Sequence, residues 1–174
     1  MQNEKTIVAF DMDGTFVNPF DISGYYQRMN EDLKFFYDLP AYTNMLEAII
    51  LFAEEHQNDP DVEIVIATSL NKNPECMSGK EYWIRNRIPD SANIDVIYVE
   101  YGVPKAQRMK KMDSRVFLID DHSPNLNSFV SFGGRGIKVI NHINGSGKNW
   151  KGDRIFIQET PEEIVKRLDK IIFE

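Results

Sequence analysis

Six short runs rich in valine and isoleucine recur along the chain: 6–10 (TIVAF), 62–67 (VEIVIA), 94–99 (IDVIYV), 116–119 (VFLI), 137–140 (IKVI) and 154–157 (RIFI). They barely alternate between apolar and polar residues, which is the pattern of strands buried on both faces. Segments with helical spacing separate them. The clearest is 43–57, where Met45, Leu46, Ile49, Ile50, Phe52 and Ala53 fall on one stripe. Others are expected near 79–88, 104–112 and 124–131. The last helix opens at Thr160 as its N-cap, with Pro161 next and Glu163 three residues on. It runs through Ile164, Val165, Leu168, Ile171 and Ile172. Strand–helix alternation of this kind predicts an α/β fold, a doubly wound and mostly parallel sheet with helices on both faces. At 174 residues, 1–174 is expected to be a single domain with a sizeable core.

Two segments break the alternation. Residues 16–42 hold Pro19, Gly24 and Pro40 among many aromatics, including Phe16, Phe20, Tyr25, Tyr26, Phe35 and Phe36. Residues 141–152 (NHINGSGKNWKG) read as an exposed polar loop.

Composition removes several function classes. Cys76 is the single cysteine, so an internal disulfide or a CxxC zinc set is excluded. That usage fits a reducing compartment, and a cytoplasmic location is expected. The opening MQNEKTIVAF has an apolar run too short for a signal peptide or a membrane span. Net charge is −7 and the pI is near 5.0, with no basic stripe for a nucleic-acid groove. A small anionic substrate stays open if a metal and a few lysines create one local positive site.

The residues that carry chemistry sit after predicted strands. Asp11 and Asp13 follow the first, and Gly14 lets the chain turn sharply there. In an open parallel sheet, ligands bind outside the carboxyl ends of the strands. By itself the string also fits a turn capped by aspartates. Asp120 and Asp121 follow the fourth run. Adjacent carboxylates repel unless water or a cation compensates, and four of them at neighbouring strand ends imply a hard divalent cation, best Mg2+. Thr68 and Ser69 follow the second run. They offer either a phosphate-binding hydroxyl and backbone N–H groups or a helix N-cap. Lys105, after the third run, suits charge neutralisation or simple surface exposure. The argument rests on agreement. An acid pair, a hydroxyl, a lysine and a second acid pair all fall at one edge of the sheet.

Asp11-Met12-Asp13-Gly14-Thr15, Thr68, Lys105 and Asp120-Asp121 resemble, in order and spacing, the four motifs of the haloacid dehalogenase (HAD) superfamily. Within it the chain looks most like the 5'(3')-deoxyribonucleotidases, in KFFYDLPAYTNMLEA (34–48), IATSLNK (66–72), GKEYWI (79–84) and FLIDD (117–121). The resemblance implies a phosphatase that hydrolyses nucleoside monophosphates. Asp11 would be the nucleophile, forming an aspartyl-phosphate, and Asp13 the acid and base. Thr68 with Ser69 would bind phosphoryl oxygens, and Lys105 would neutralise developing charge. Mg2+ would be held by Asp11, the backbone carbonyl of Asp13 and Asp121, with Asp120 in support. Lys72 is expected at the phosphate, and Lys80 in a structural or rim position. The nucleotidases carry a helical cap between the first two motifs. Only residues 16–60 are available for one here, so the cap is expected to be small or absent, with 16–42 a minimal lid. Phe16, Phe20, Tyr25 and Tyr26 would line a pocket or pack that lid. The alternatives are a phosphatase for a sugar or macromolecular phosphate, a receiver-like phosphoacceptor and a non-catalytic binding protein. His122 and Trp150 receive no catalytic role and are expected at surface or packing positions.

Overall fold

A computed structural model describes residues 5–145, 147 and 149–174. Six strands form one sheet: β1 (Thr6–Phe10), β2 (Val62–Ser69), β3 (Asp95–Val99), β4 (Val116–Asp120), β5 (Arg135–Ile140) and β6 (Asp153–Phe156). Their order is β3-β2-β1-β4-β5-β6, and every neighbouring pair is parallel. The order reverses between β1 and β4, the topological switch point of a doubly wound sheet. There Phe10 stands in register with Ile66 on one side and Ile119 on the other. All five residues of β1 are buried, as its unbroken apolar run requires.

Side chains alternate between two cores. Val8, Phe10, Ile66 and Ile119 face one core, which α2 (Thr43–His56), α3 (Cys76–Arg87) and α5 (Pro161–Phe173) cover with Phe52, Trp83 and Leu168. Ile7, Ala9, Val65 and Leu118 face the other, covered by Leu126 and Phe129 of α4 (Ser123–Ser131) and by Trp150. Helix α5 begins with the expected capping box, Thr160 Oγ1 accepting from Glu163 N while Glu163 returns a bond to Thr160 N. Among the described residues no helix is long and apolar enough to cross a membrane.

The sequence reading needs correction in four places. The helix expected at 104–112 is only a 3-10 turn, Lys105–Arg108. The chain leaves the turn in extended backbone at Met109, and Ala106, Met109 and Met112 all pack on the second core. Lys105 is tied to Asp11 and Asp120 and Arg108 to Glu100, which fixes the turn at both ends. Second, Thr68 and Ser69 are the last residues of β2, paired with Tyr98 and Val99, so neither caps a helix. Third, Asp120 ends β4 rather than following it. Fourth, 141–152 is not simply an exposed loop, because Asn141 and Trp150 are buried, at 2% and 7% exposure.

Residues 16–42 contain one seven-residue helix, α1 (Tyr25–Glu31), with no buried residue, and a 3-10 turn at Phe35–Tyr37. Phe16, Phe35, Phe36 and Leu39 nevertheless enter the main core. The segment is tied down on two sides. Asn71 and Asn73 donate to Met29 O at 2.7 and 3.3 Å, and Asn73 also donates to Asp32 O at 2.9 Å. On the other side His142 Nε2 meets Asp21 Oδ1 at 3.0 Å.

Candidate active site

The end of β1 delivers Asp11 to the switch point. Asp11 N donates to Ile119 O of β4 at 2.8 Å, which locks the two strand ends together. Lys105 is buried between them and donates to Asp11 Oδ1 and, at 2.7 Å, to Asp120 Oδ2. Asp120 accepts further bonds at both oxygens. Its Oδ2 also accepts from Asn125 Nδ2 at 3.0 Å, and its Oδ1 accepts from His122 N at 2.8 Å. One oxygen from each of Asp11, Asp120 and Asp121 lies within 4.8 Å of the others.

One lysine does not balance three carboxylates. Burial pushes the Asp11 carboxyl up to about 8, with the charge on Asp120 adding and Lys105 opposing. Burial, then Asp120, pushes Asp121 up to about 7. For Lys105 burial acts downward, but Asp11 and Asp120 outweigh it and hold the ammonium above its ordinary value. The cluster therefore retains protons unless another cation takes their place. All its donors are oxygens, as a hard divalent cation requires. Asp120 is held by three protein donors, so it supports the cluster while Asp11 and Asp121 carry fewer protein bonds, and any of the three could offer an oxygen to such an ion.

Asp13 lies two residues beyond Asp11 and has different partners. Lys80 Nζ donates to Asp13 Oδ2 at 2.5 Å, to Thr68 Oγ1 at 2.8 Å and to Ser69 O at 2.8 Å. Asp13 Oδ1 and Thr15 Oγ1 are buried without a hydrogen-bond partner. Thr68 accepts from Lys80, which leaves its hydroxyl hydrogen to donate into the site. Gly14 has φ 85°, and a Cβ there would lie 2.5 Å from the Asp121 carboxylate, so the turn needs glycine on both counts.

The structure thus gathers Asp11, Asp13, Thr68, Ser69, Lys105, Asp120 and Asp121 at one sheet edge. Lys72 is exposed and lies over the Tyr101 ring, 5.3 Å from its centroid, and no hydrogen bond among the described residues joins it to the carboxylates. Lys80 is not on the rim, because it is wholly buried. The sequence held a signal for this. Cys76, Lys80, Trp83 and Ile84 form the inward stripe of α3, and a lysine on an apolar stripe needs a buried partner.

Three further residues escaped the sequence reading. Lys138 Nζ donates to Asp121 O at 2.6 Å and to Ser123 Oγ at 2.9 Å. Asn144 Nδ2 donates to Asp121 O at 3.2 Å. Asn141 Nδ2 donates to Gly14 O and to Asp121 Oδ2, both at 2.9 Å. Asn141 directly follows β5, and a polar residue at that strand end was the available signal. His122 contributes a backbone N–H, and its side chain is exposed. Trp150 packs in the second core. Of the aromatics in 16–42, Phe16 is a core residue against Trp83 and Tyr26 is 74% exposed. Phe20 and Tyr25 pack edge to face, with Phe20 also against His142.

No protein-family model matches the sequence, and no curated protein matches it. Solved structures do share its fold. A HAD hydrolase of family IA, variant 3, from Entamoeba histolytica superposes with a TM-score of 0.58 at 15% identity, covering 98% of this chain and 100% of that one. D,D-heptose 1,7-bisphosphate phosphatase from Burkholderia thailandensis gives 0.56 at 17% identity, covering 95% and 98%. L-2-haloacid dehalogenase from Xanthobacter autotrophicus gives 0.52 at 12% identity, covering 79% of each chain. The fold is the one that these HAD-superfamily structures share. The matched structures include a phosphatase and a dehalogenase, so fold alone does not select the reaction.

Proposed function

We propose that this chain is a Mg2+-dependent phosphatase that works through an aspartyl-phosphate on Asp11. The observation that carries this reading is the separation of two carboxylates two residues apart. Asp11 belongs to the acidic cluster with Lys105, whereas Asp13 is held outside it by Lys80. A site with one carboxylate as nucleophile and a second as proton carrier suits displacement of an oxygen leaving group, which must be protonated. Displacement of a halide needs no such acid.

In this reading Asp11 attacks phosphorus as the ester P–O bond breaks, and the leaving oxygen takes the proton carried on Asp13 Oδ1. A water molecule then gives its proton to Asp13 as it attacks phosphorus, the bond to Asp11 breaks, and inorganic phosphate leaves. Lys80 holds Asp13 Oδ2, so the unpartnered Oδ1 is the oxygen aimed at these transfers. Thr68 and Ser69 bind phosphoryl oxygens, and Lys105 keeps the Asp11 region near neutrality as charge builds. Asp11, the carbonyl of Asp13 and Asp121 would hold Mg2+, which when bound supplies positive charge to the phosphoryl oxygens. Lys72, which sits over the Tyr101 ring, is taken as a further phosphate contact.

We take the substrate to be a small phosphate monoester, best a nucleoside monophosphate, on the resemblance in 34–48, 66–72, 79–84 and 117–121. We read 1–174 as one hydrolase domain of the cytoplasm, with 16–42 as a minimal lid. The seven-residue α1 leaves room for bulkier partners, which favours a sugar phosphate or macromolecular phosphate as the second reading. The test is a panel of deoxynucleoside and ribonucleoside 5'- and 3'-monophosphates, sugar phosphates and 2-haloacids, with Mg2+ or excess EDTA. Metal-dependent phosphate release, greatest with nucleoside monophosphates, is expected. Halide release or EDTA-resistant turnover would overturn the reaction. Preference for sugar phosphates would overturn only the substrate.

A further inference from the structure

We propose that Asn141 is the positioning residue that sets the Asp121 carboxylate against the nucleophile turn, and so tunes the affinity of the site for its divalent cation. The proposal rests on the metal-dependent reading above.

Asn141 is 2% exposed, and each hydrogen-bonding position of its amide is used. Its Oδ1 accepts from Ile143 N and Asn144 N, both at 3.1 Å. Two backbone donors on one atom fix which end of the amide is oxygen, because the reversed amide would set NH2 against two N–H groups. Nδ2 is therefore the donor. Its two hydrogens go to Gly14 O, on the turn that follows Asp11 and Asp13, and to Asp121 Oδ2. One side chain from the end of β5 thereby joins the β1 turn to the acid beyond β4.

Nothing else performs this task. Among the described residues the Asp121 carboxylate accepts a hydrogen bond only from Asn141, since Lys138 and Asn144 bond its backbone carbonyl. The main chain of Asp121 is gripped twice, but its carboxylate has no hydrogen-bond donor other than Asn141 among the described residues. The space is also close, because Gly14 lies so near that a Cβ would overlap the carboxylate. With Oδ2 held by Asn141, Oδ1 is the oxygen free to meet a cation, already oriented before the ion arrives. Partners that orient metal ligands in this way typically contribute about 10–100-fold in metal affinity.

The experiment is Mg2+ titration calorimetry on the full chain, wild type against Asn141→Ala and Asn141→Ser, with thermal melts of each metal-free protein. Both variants are expected to raise the Mg2+ Kd by about 10–100-fold. The Mg2+ concentration for half-maximal activity should rise in step, while KM for the ester at saturating Mg2+ stays within about twofold. A purely structural role would lower the metal-free melting temperature and leave Kd unchanged. A Kd within about twofold of wild type in whichever variant folds overturns the assignment, even where the melt has shifted. If the wild-type chain binds no Mg2+, the metal-dependent reading falls and the assignment falls with it.

Discussion

Lys80 and Asp13, 67 residues apart in sequence, meet with Nζ 2.5 Å from Oδ2, and the same ammonium bonds Thr68 Oγ1. A wholly buried lysine on α3 thus ties the proposed proton carrier in the turn after β1 to the proposed phosphate-binding hydroxyl on β2. Lys80→Met retains the length and apolar stem but removes the cation. It is expected to lower kcat by roughly 10²–10³, the usual cost of removing one preorganised donor from a reacting centre. Steady-state kinetics on an aryl phosphate check this, and a kcat within tenfold of wild type would mean Lys80 merely fills space.

Asp11→Asn should abolish turnover, by at least roughly 10⁴-fold, as removal of a nucleophile does. The same change should not destabilise the metal-free protein. It replaces a carboxyl that burial already favours in its protonated form with an amide of the same shape, and leaves Lys105 paired with Asp120. Melting curves are expected to show an equal or higher Tm for the variant without Mg2+, and a smaller rise than wild type when Mg2+ is added.

The pH dependence of stability should invert on adding metal. Asp11 and Asp121 are raised from 3.8 to about 8 and about 7, so both bind protons more tightly in the folded chain than in the unfolded one. The stability this contributes is fully present below about pH 4 and is lost as pH rises through 7 to 8. Metal-free Tm should therefore fall between pH 5 and pH 8. With saturating Mg2+ the trend should flatten or reverse, because the ion replaces those protons. Differential scanning fluorimetry across that range decides it, and a metal-free Tm that rises toward pH 8 would contradict the protonated cluster.

Gly14→Ala puts a Cβ into the Asp121 carboxylate at a residue with φ 85°. The left-handed backbone costs about 1–2 kcal/mol for an L-residue, and the overlap must displace Asp121 as well. We expect a lower Tm together with weaker Mg2+ binding by calorimetry. Retention of wild-type Mg2+ affinity would show that Asp121 does not face the ion.

Much of this was legible in sequence because it depends on local pattern. Val/Ile runs at 6–10 and 116–119 specify buried strands, and Thr160 with Glu163 specifies the start of α5. Asp11, Asp13, Asp120 and Asp121 announce themselves by standing at strand ends. Lys80 and Asn141 were harder to see, because a single polar residue in GKEYWI or in a glycine-rich stretch looks like surface until its partners arrive. Lys105 illustrates the boundary. Its place after β3 was readable, but the helix expected at 104–112 shortens to a turn at Lys105–Arg108, with Lys105 anchored to both Asp11 and Asp120.

Sequence alone determined the layers, the strands and the acids that stand at their ends, since burial periodicity and strand-end placement are properties of a few neighbouring residues. The strand order β3-β2-β1-β4-β5-β6 and the meeting of Asp11 with Asp120 at the switch point were decided only by the tertiary structure. So were the pairing of Lys80 with Asp13 and the grip of Asn141 on Asp121. The physical reason is that a buried charge or amide is tolerable only when it finds its partner, and each of these partners comes from a different strand or helix.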